Sequence, residues 1–86
     1  MIEEDIKIKV KLFAIYQEAF ETSELDLVLP KQTKISHVLD SLIKEKPYLA
    51  KWQEVTRFGL NLKFVEADTL LQDGDEIVLI PPVSGG

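Results

Sequence analysis

Residues 6–13 read IKIKVKLF, with Ile6, Ile8, Val10 and Leu12 alternating against Lys7, Lys9 and Lys11. Successive side chains of a strand point to opposite faces, so this pattern predicts a β-strand with one face on a core and the other in water. The same alternation returns in ELDLVLP, where Leu25, Leu27 and Leu29 share a face until Pro30, which cannot donate to a ladder, ends the run. Between the two, AIYQEAFE loses the alternation and favours a helical turn or a long loop. Two strands with so short a connection predict an antiparallel hairpin.

After Thr33 the period changes. Ile35, Val38, Leu39, Leu42 and Ile43 fall at helical spacing, with Thr33 or Ser36 offered as N-cap and Pro47 closing a helix of about three turns. PYLAKWQE adds a short helical turn in which Tyr48, Leu49 and Trp52 are expected to pack. RFGLNLKFVE reads as a third strand interrupted at Gly59, and Asp73-Gly74-Asp75 supplies a turn. Ile77 to Ile80 is an apolar run with no polar alternate, which predicts a central strand buried on both faces. The fold class is therefore α+β: a mixed sheet of four or five strands packed on one main helix, with any parallel pairing expected among the strands flanking that helix.

A chain of 86 residues, 45% hydrophobic and 29% charged, is sized for one domain with a modest core. No stretch approaches the roughly 18 apolar residues of a membrane span, and the opening Met-Ile-Glu-Glu-Asp carries acid where a secretory signal carries base, so a cytoplasmic location is expected. There is no cysteine, which removes disulfides, thiolate ligands and thiol nucleophiles together. Fifteen acidic residues against ten basic ones give a net charge of −5 with no Lys/Arg cluster, which argues against nucleic acid and suits a basic protein partner.

Side-chain chemistry is sparse. His37 is the sole histidine and cannot build a zinc site by itself; Ser23, Ser36, Ser41 and Ser84 have no nucleophile-elbow surroundings, and no phosphate-cradling glycine motif occurs. The DGDE at 73–76 lacks the spacing of a calcium loop and reads as a turn, while Glu3, Glu4 and Asp5 read as solvating charge. No metal site is expected.

What remains is the closing phrase IPPVSGG. Pro81 and Pro82 fix φ and push the residue before each out of the helical region, so the last strand is expected to leave the domain extended. Six residues from Pro81 through Val83, Ser84 and Gly85 to Gly86 reach about 20 Å, enough to enter a second protein. Glycines keep the tip narrow and leave its carboxylate unhindered. The chain thus divides into a domain at 1–80 and a tail at 81–86, with the α-carboxylate of Gly86 as candidate reactive group.

IKVKLFA with the YQEAF turn, the helix between Thr33 and Pro47, and above all DGDEIVLIPPVSGG resemble the sulfur-carrying small subunits of molybdopterin synthase, ubiquitin-like β-grasp proteins, over most of the chain. The resemblance implies a cycle. A ubiquitin-activating-like enzyme uses ATP to adenylate Gly86, a sulfurtransferase turns it into a thiocarboxylate, and the tail enters the large synthase subunit. There its sulfur passes to cyclic pyranopterin monophosphate to form molybdopterin, within a heterotetramer of two small and two large subunits. In that scheme the catalytic side chains belong to the large subunit and this chain binds no cofactor of its own. The family's partner-binding surface maps onto Phe13, Val78 and Ile80. The pattern agrees, because Phe13 is out of phase with the core face of the first strand and Val78 and Ile80 share one face of the last. Ser84 stands where the family commonly has Thr. A carrier for another pathway, a protein modifier joined through Gly86, and a passive interaction domain remain as alternatives.

Overall fold

The structure is a computed structural model and describes residues 5–82. β1 (Asp5–Leu12) and β2 (Glu24–Pro30) pair antiparallel from Asp5↔Pro30 to Lys11↔Glu24, as the two alternating stretches predict. β1 buries Ile6, Ile8, Val10 and Leu12 and turns Lys7 and Lys9 to solvent. The connection holds a short helix, α1 (Ile15–Phe20), which sinks Tyr16 and Ala19 into the end of the core.

The main helix α2 (Ile35–Glu45) buries Ile35, Val38, Leu39 and Leu42. Its N-cap position is Lys34, and neither Thr33 nor Ser36 caps it. The chain does not need a side-chain cap here: the Ile35 and Ser36 amides donate to the carbonyls of Thr69 and Ala67, so a neighbouring loop satisfies groups a helix start leaves orphaned. Thr33 instead donates its hydroxyl to the Pro30 carbonyl. A 3-10 helix (Pro47–Val55) follows, longer than the expected single turn. Within it Leu49 is buried and Trp52 half-buried, but Tyr48 is 59% exposed and does not pack as expected.

The expected third strand is a hairpin of two, β3 (Arg57–Leu60) and β4 (Lys63–Val65). Gly59 lies inside β3, and the break comes at Asn61 and Leu62, both at positive φ (48° and 76°). This is the backbone of a two-residue hairpin turn matched to the twist of the strands. The Asp73–Asp75 turn forms as predicted: Gly74 takes φ 89°, the Asp73 carboxylate accepts from the Lys7 amide, and the Asp75 carboxylate accepts from the Gln72 amide.

β5 (Glu76–Ile80) completes a five-stranded mixed sheet in the order β2-β1-β5-β3-β4. Its partners are β1, parallel, and β3, antiparallel, so the parallel pair joins the first and last strands and not those flanking α2. β5 is central but not buried on both faces. Ile77 and Leu79 are fully buried beneath α2, whereas Val78 and Ile80 are only half-buried on a side that no helix covers among the described residues. The helix-and-sheet β-grasp architecture thus leaves one sheet face open. Among the described residues no helix is long and apolar enough to cross a membrane.

Candidate functional site

Alternation in β5 sends Val78 and Ile80 to the open face, and the sheet register decides what they meet there. Gly59 stands opposite Val78 on one side and Phe64 on the other, so Val78, Gly59 and Phe64 form a row across three strands. Gly59 carries no side chain, and a Cβ there would lie 3.5 Å from the Val78 Cβ and 3.9 Å from the Ile80 Cδ1. The gap becomes the floor of a shallow recess of about 190 Å³, walled by Val78, Ile80, Phe64, Leu62 and Lys63. Phe64 is 72% exposed and Leu62 98% exposed.

Phe13 follows β1 directly, one residue past the Leu12↔Leu79 pair and two past Lys11, which puts it at the end of the sheet where Ile80 stands. It is 49% exposed, while the space under α1 is filled by Tyr16 and Ala19. Phe13, Val78, Ile80, Phe64 and Leu62 are large apolar side chains left uncovered or half-covered on a small domain, the composition of a docking surface.

The other half of the open face is ionic. Lys11 Nζ lies 3.2 Å from Glu76 Oε2 and 3.7 Å from Glu24 Oε2, and Lys9 Nζ lies 3.6 Å from Glu24 Oε1. The Glu76 carboxylate, through its hydrogen bond and then its charge, holds the Lys11 ammonium above the usual lysine value. Arg57, opposite Ile80, and Lys63 form no ion pair among the described residues.

The chain leaves the sheet beside this patch. Pro81 is buried and Pro82 exposed, next to a groove formed with Val55, Thr56, Arg57 and Phe64. The groove's base is fixed from below by a buried hydrogen bond between Tyr16 Oη and Thr56 Oγ1 at 2.6 Å. Burial raises the Tyr16 phenol pKa.

Of the residues singled out in the sequence, the structure brings Val78, Ile80 and the root of the tail together and sets Phe13 at the same end of the sheet. Val83, Ser84, Gly85 and Gly86 lie outside the described residues, as do Glu3 and Glu4. His37 is exposed on α2. Gly59, Leu62 and Phe64 escape the sequence reading, because a single strand through RFGLNLKFVE gives no reason for them to converge. The one available cue is Asn61, a residue that tolerates positive φ better than most.

Comparison with known proteins gives this surface a context. The ThiS family matches residues 10–86. A molybdopterin synthase sulfur carrier subunit from Arabidopsis thaliana is 32% identical over 81 residues, covering 94% of this chain and 84% of the relative. Small archaeal modifier protein 1 of Methanosarcina acetivorans, known from a solution structure, is 35% identical with a TM-score of 0.74 over 96% of this chain and 99% of its own. A complex of subunits 1 and 2 of molybdopterin-converting factor from Helicobacter pylori 26695 contains a chain 27% identical with a TM-score of 0.60, covering 94% of this chain and all of that one. With the family match running from the middle of β1 through Gly86, and relatives aligned along most of their own length, the chain belongs to the ThiS family.

Proposed function

We propose that this chain is a sulfur carrier of molybdenum cofactor biosynthesis, with residues 1–80 as the docking domain and 81–86 as the working tail. The observation that carries the proposal is the uncovered apolar patch of Val78, Ile80 and Phe64, placed where the chain departs toward Gly86. Relatives named as molybdopterin synthase sulfur carrier subunits, and the likeness to one chain of a two-subunit complex, support the same reading. In it the patch, with Phe13, holds the large synthase subunit while the tail reaches the chemistry.

The carrier's own contribution is a single group. A carboxylate must be activated before it can be replaced, so an adenylating enzyme joins Gly86 to AMP from ATP and releases pyrophosphate. The outer sulfur of a sulfurtransferase persulfide then attacks the acyl carbon and expels AMP, and a thiol reductant cleaves the resulting acyl disulfide, becoming oxidised to a disulfide as the thiocarboxylate is released. The thiocarboxylate donates sulfur to cyclic pyranopterin monophosphate in the large subunit, in an assembly of two small and two large chains. No cofactor is held by the carrier, the catalytic side chains are the partner's, and the cycle runs in the cytoplasm.

Deleting Gly86, or appending one residue after it, should abolish sulfur transfer while leaving the melting temperature nearly unchanged. Mass spectrometry of the chain produced with its activating system should show a gain of about 16 Da, as sulfur replaces oxygen. Unaltered activity after deletion would sink the proposal, and absence of the mass shift would favour a passive interaction domain.

A second reading, conjugation of Gly86 to lysines of other proteins, is favoured by the 35% identity to small archaeal modifier protein 1. It predicts higher-mass conjugates in cell extract that vanish when Gly86 is deleted. A thiocarboxylate that converts the pyranopterin precursor, with no conjugates, would decide against it.

A further inference from the structure

The hairpin joining β3 to β4 breaks a local rule. Two-residue turns of this kind need positive φ at both positions, and the second is ordinarily glycine. Here it is Leu62, at φ 76° with 98% of its surface exposed. A large apolar side chain in a left-handed backbone, with no core contact to hold it there, is disfavoured twice over.

The conformation is imposed from next door. Asn61 Oδ1 accepts from the Glu76 amide at 3.0 Å, Asn61 Nδ2 donates to Asp75 Oδ1 at 3.1 Å, and the Asn61 amide donates to the Glu76 carbonyl at 2.9 Å. Three bonds tie the turn to the entry of β5, and the next residue is thereby presented to solvent. Leu62 forms one wall of the recess over Gly59, beside Phe64, Val78 and Ile80. Lys63 and Arg57, cations without an ion pair among the described residues, flank the same recess and groove on a chain whose net charge is −5.

We infer that Leu62 is an anchor of the partner interface, inserted on docking into an apolar pocket of the large synthase subunit whose rim is acidic. The inference rests on the carrier reading given above. Charge complementarity names the pocket's surroundings: Lys63 and Arg57 gain partners only if acid faces them. The Asn61 bonds fix the backbone at Leu62, so presenting its side chain to a partner costs little backbone freedom on binding.

The test compares the full-length chain with Leu62→Gly by calorimetric titration against the large subunit from the same genome, together with thermal denaturation. Glycine fits φ 76° without strain, so the variant should melt at or above the wild-type temperature while its affinity falls about tenfold. Lys63→Glu should slow association several-fold at low salt and lose most of that effect at high salt. Wild-type affinity in Leu62→Gly would overturn the inference and leave the carrier reading intact, as would an affinity loss matched by a fall in melting temperature. Failure of the wild-type chain to bind the large subunit at all would overturn both.

Discussion

The phenolic oxygen of Tyr16 lies 2.6 Å from Oγ1 of Thr56, 40 residues away, and the bond has a definite direction. Thr56 gives its own hydroxyl proton to the Trp52 carbonyl at 2.8 Å, so Tyr16 must donate. One buried bond thus ties α1 to the junction of the 3-10 helix and β3, beneath the root of the tail.

Tyr16→Phe removes that donor and leaves the packing, so it should destabilise the domain by about 1 kcal/mol. For a domain of this size the melting temperature should fall by roughly 4–8 °C. A change below 1 °C would show that the bond contributes nothing net.

Alkaline pH should act on the same residue. The folded state raises the Tyr16 pKa above 10.0, mainly by burial, so the fold binds the phenolic proton more tightly than the unfolded chain does. The resulting stability is fully present below about pH 10 and is lost as pH rises through the folded-state value. Lys11, also raised, contributes with the same sign. Denaturant titrations between pH 8 and 11 should therefore show declining stability, with a shallower decline in Tyr16→Phe.

Gly74→Ala should cost about 1–2 kcal/mol. Nothing lies within 4 Å of an added Cβ, so the whole effect comes from φ 89°, a conformation that L-residues resist. Equilibrium unfolding in urea measures it directly, and a neutral result would mean that the turn can relax.

Gly59→Ala should separate stability from docking. Its Cβ would meet Val78 at 3.5 Å, an ordinary contact, so the midpoint of unfolding should hardly move. The methyl group nevertheless raises the floor of the recess, and affinity for the large subunit should fall at least several-fold in a titration.

Phe13→Glu makes a similar division at the far side of the patch. With the ring 49% exposed, the charge can be solvated in the free chain, so the melting temperature should be nearly retained. Binding should weaken by tenfold or more if Phe13 sits in the interface. A collapse in stability would assign it to the core.

What the sequence made readable was what depends on period. Ile6 to Leu12 and Leu25 to Leu29 could satisfy their alternation only as half-buried strands, and Ile35 to Ile43 only as one helical face. Asp73-Gly74-Asp75 was equally explicit, because turn chemistry is local. The misreadings share a non-local cause. The helix start needed no capping side chain because Thr69 and Ala67, more than 30 residues on, lend their carbonyls. β5 looked buried on both faces because an apolar residue left on an open sheet face cannot be told by sequence from one turned toward the core. The hairpin at Asn61-Leu62 was hidden because Leu62 is the residue that turn chemistry would least suggest, and the recess over Gly59 exists only through the pairing of three strands.

The position of β5 also has a mechanical meaning. The chain that leaves Ile80 is continuous with a strand bonded on both flanks, to β1 and to β3. Tension on the tail loads β5 along its own length, so the bonds of both ladders must slide and yield together. An edge strand would instead peel away one bond at a time. A partner that grips the end of this chain and pulls can therefore draw it taut without unravelling the domain that carries it.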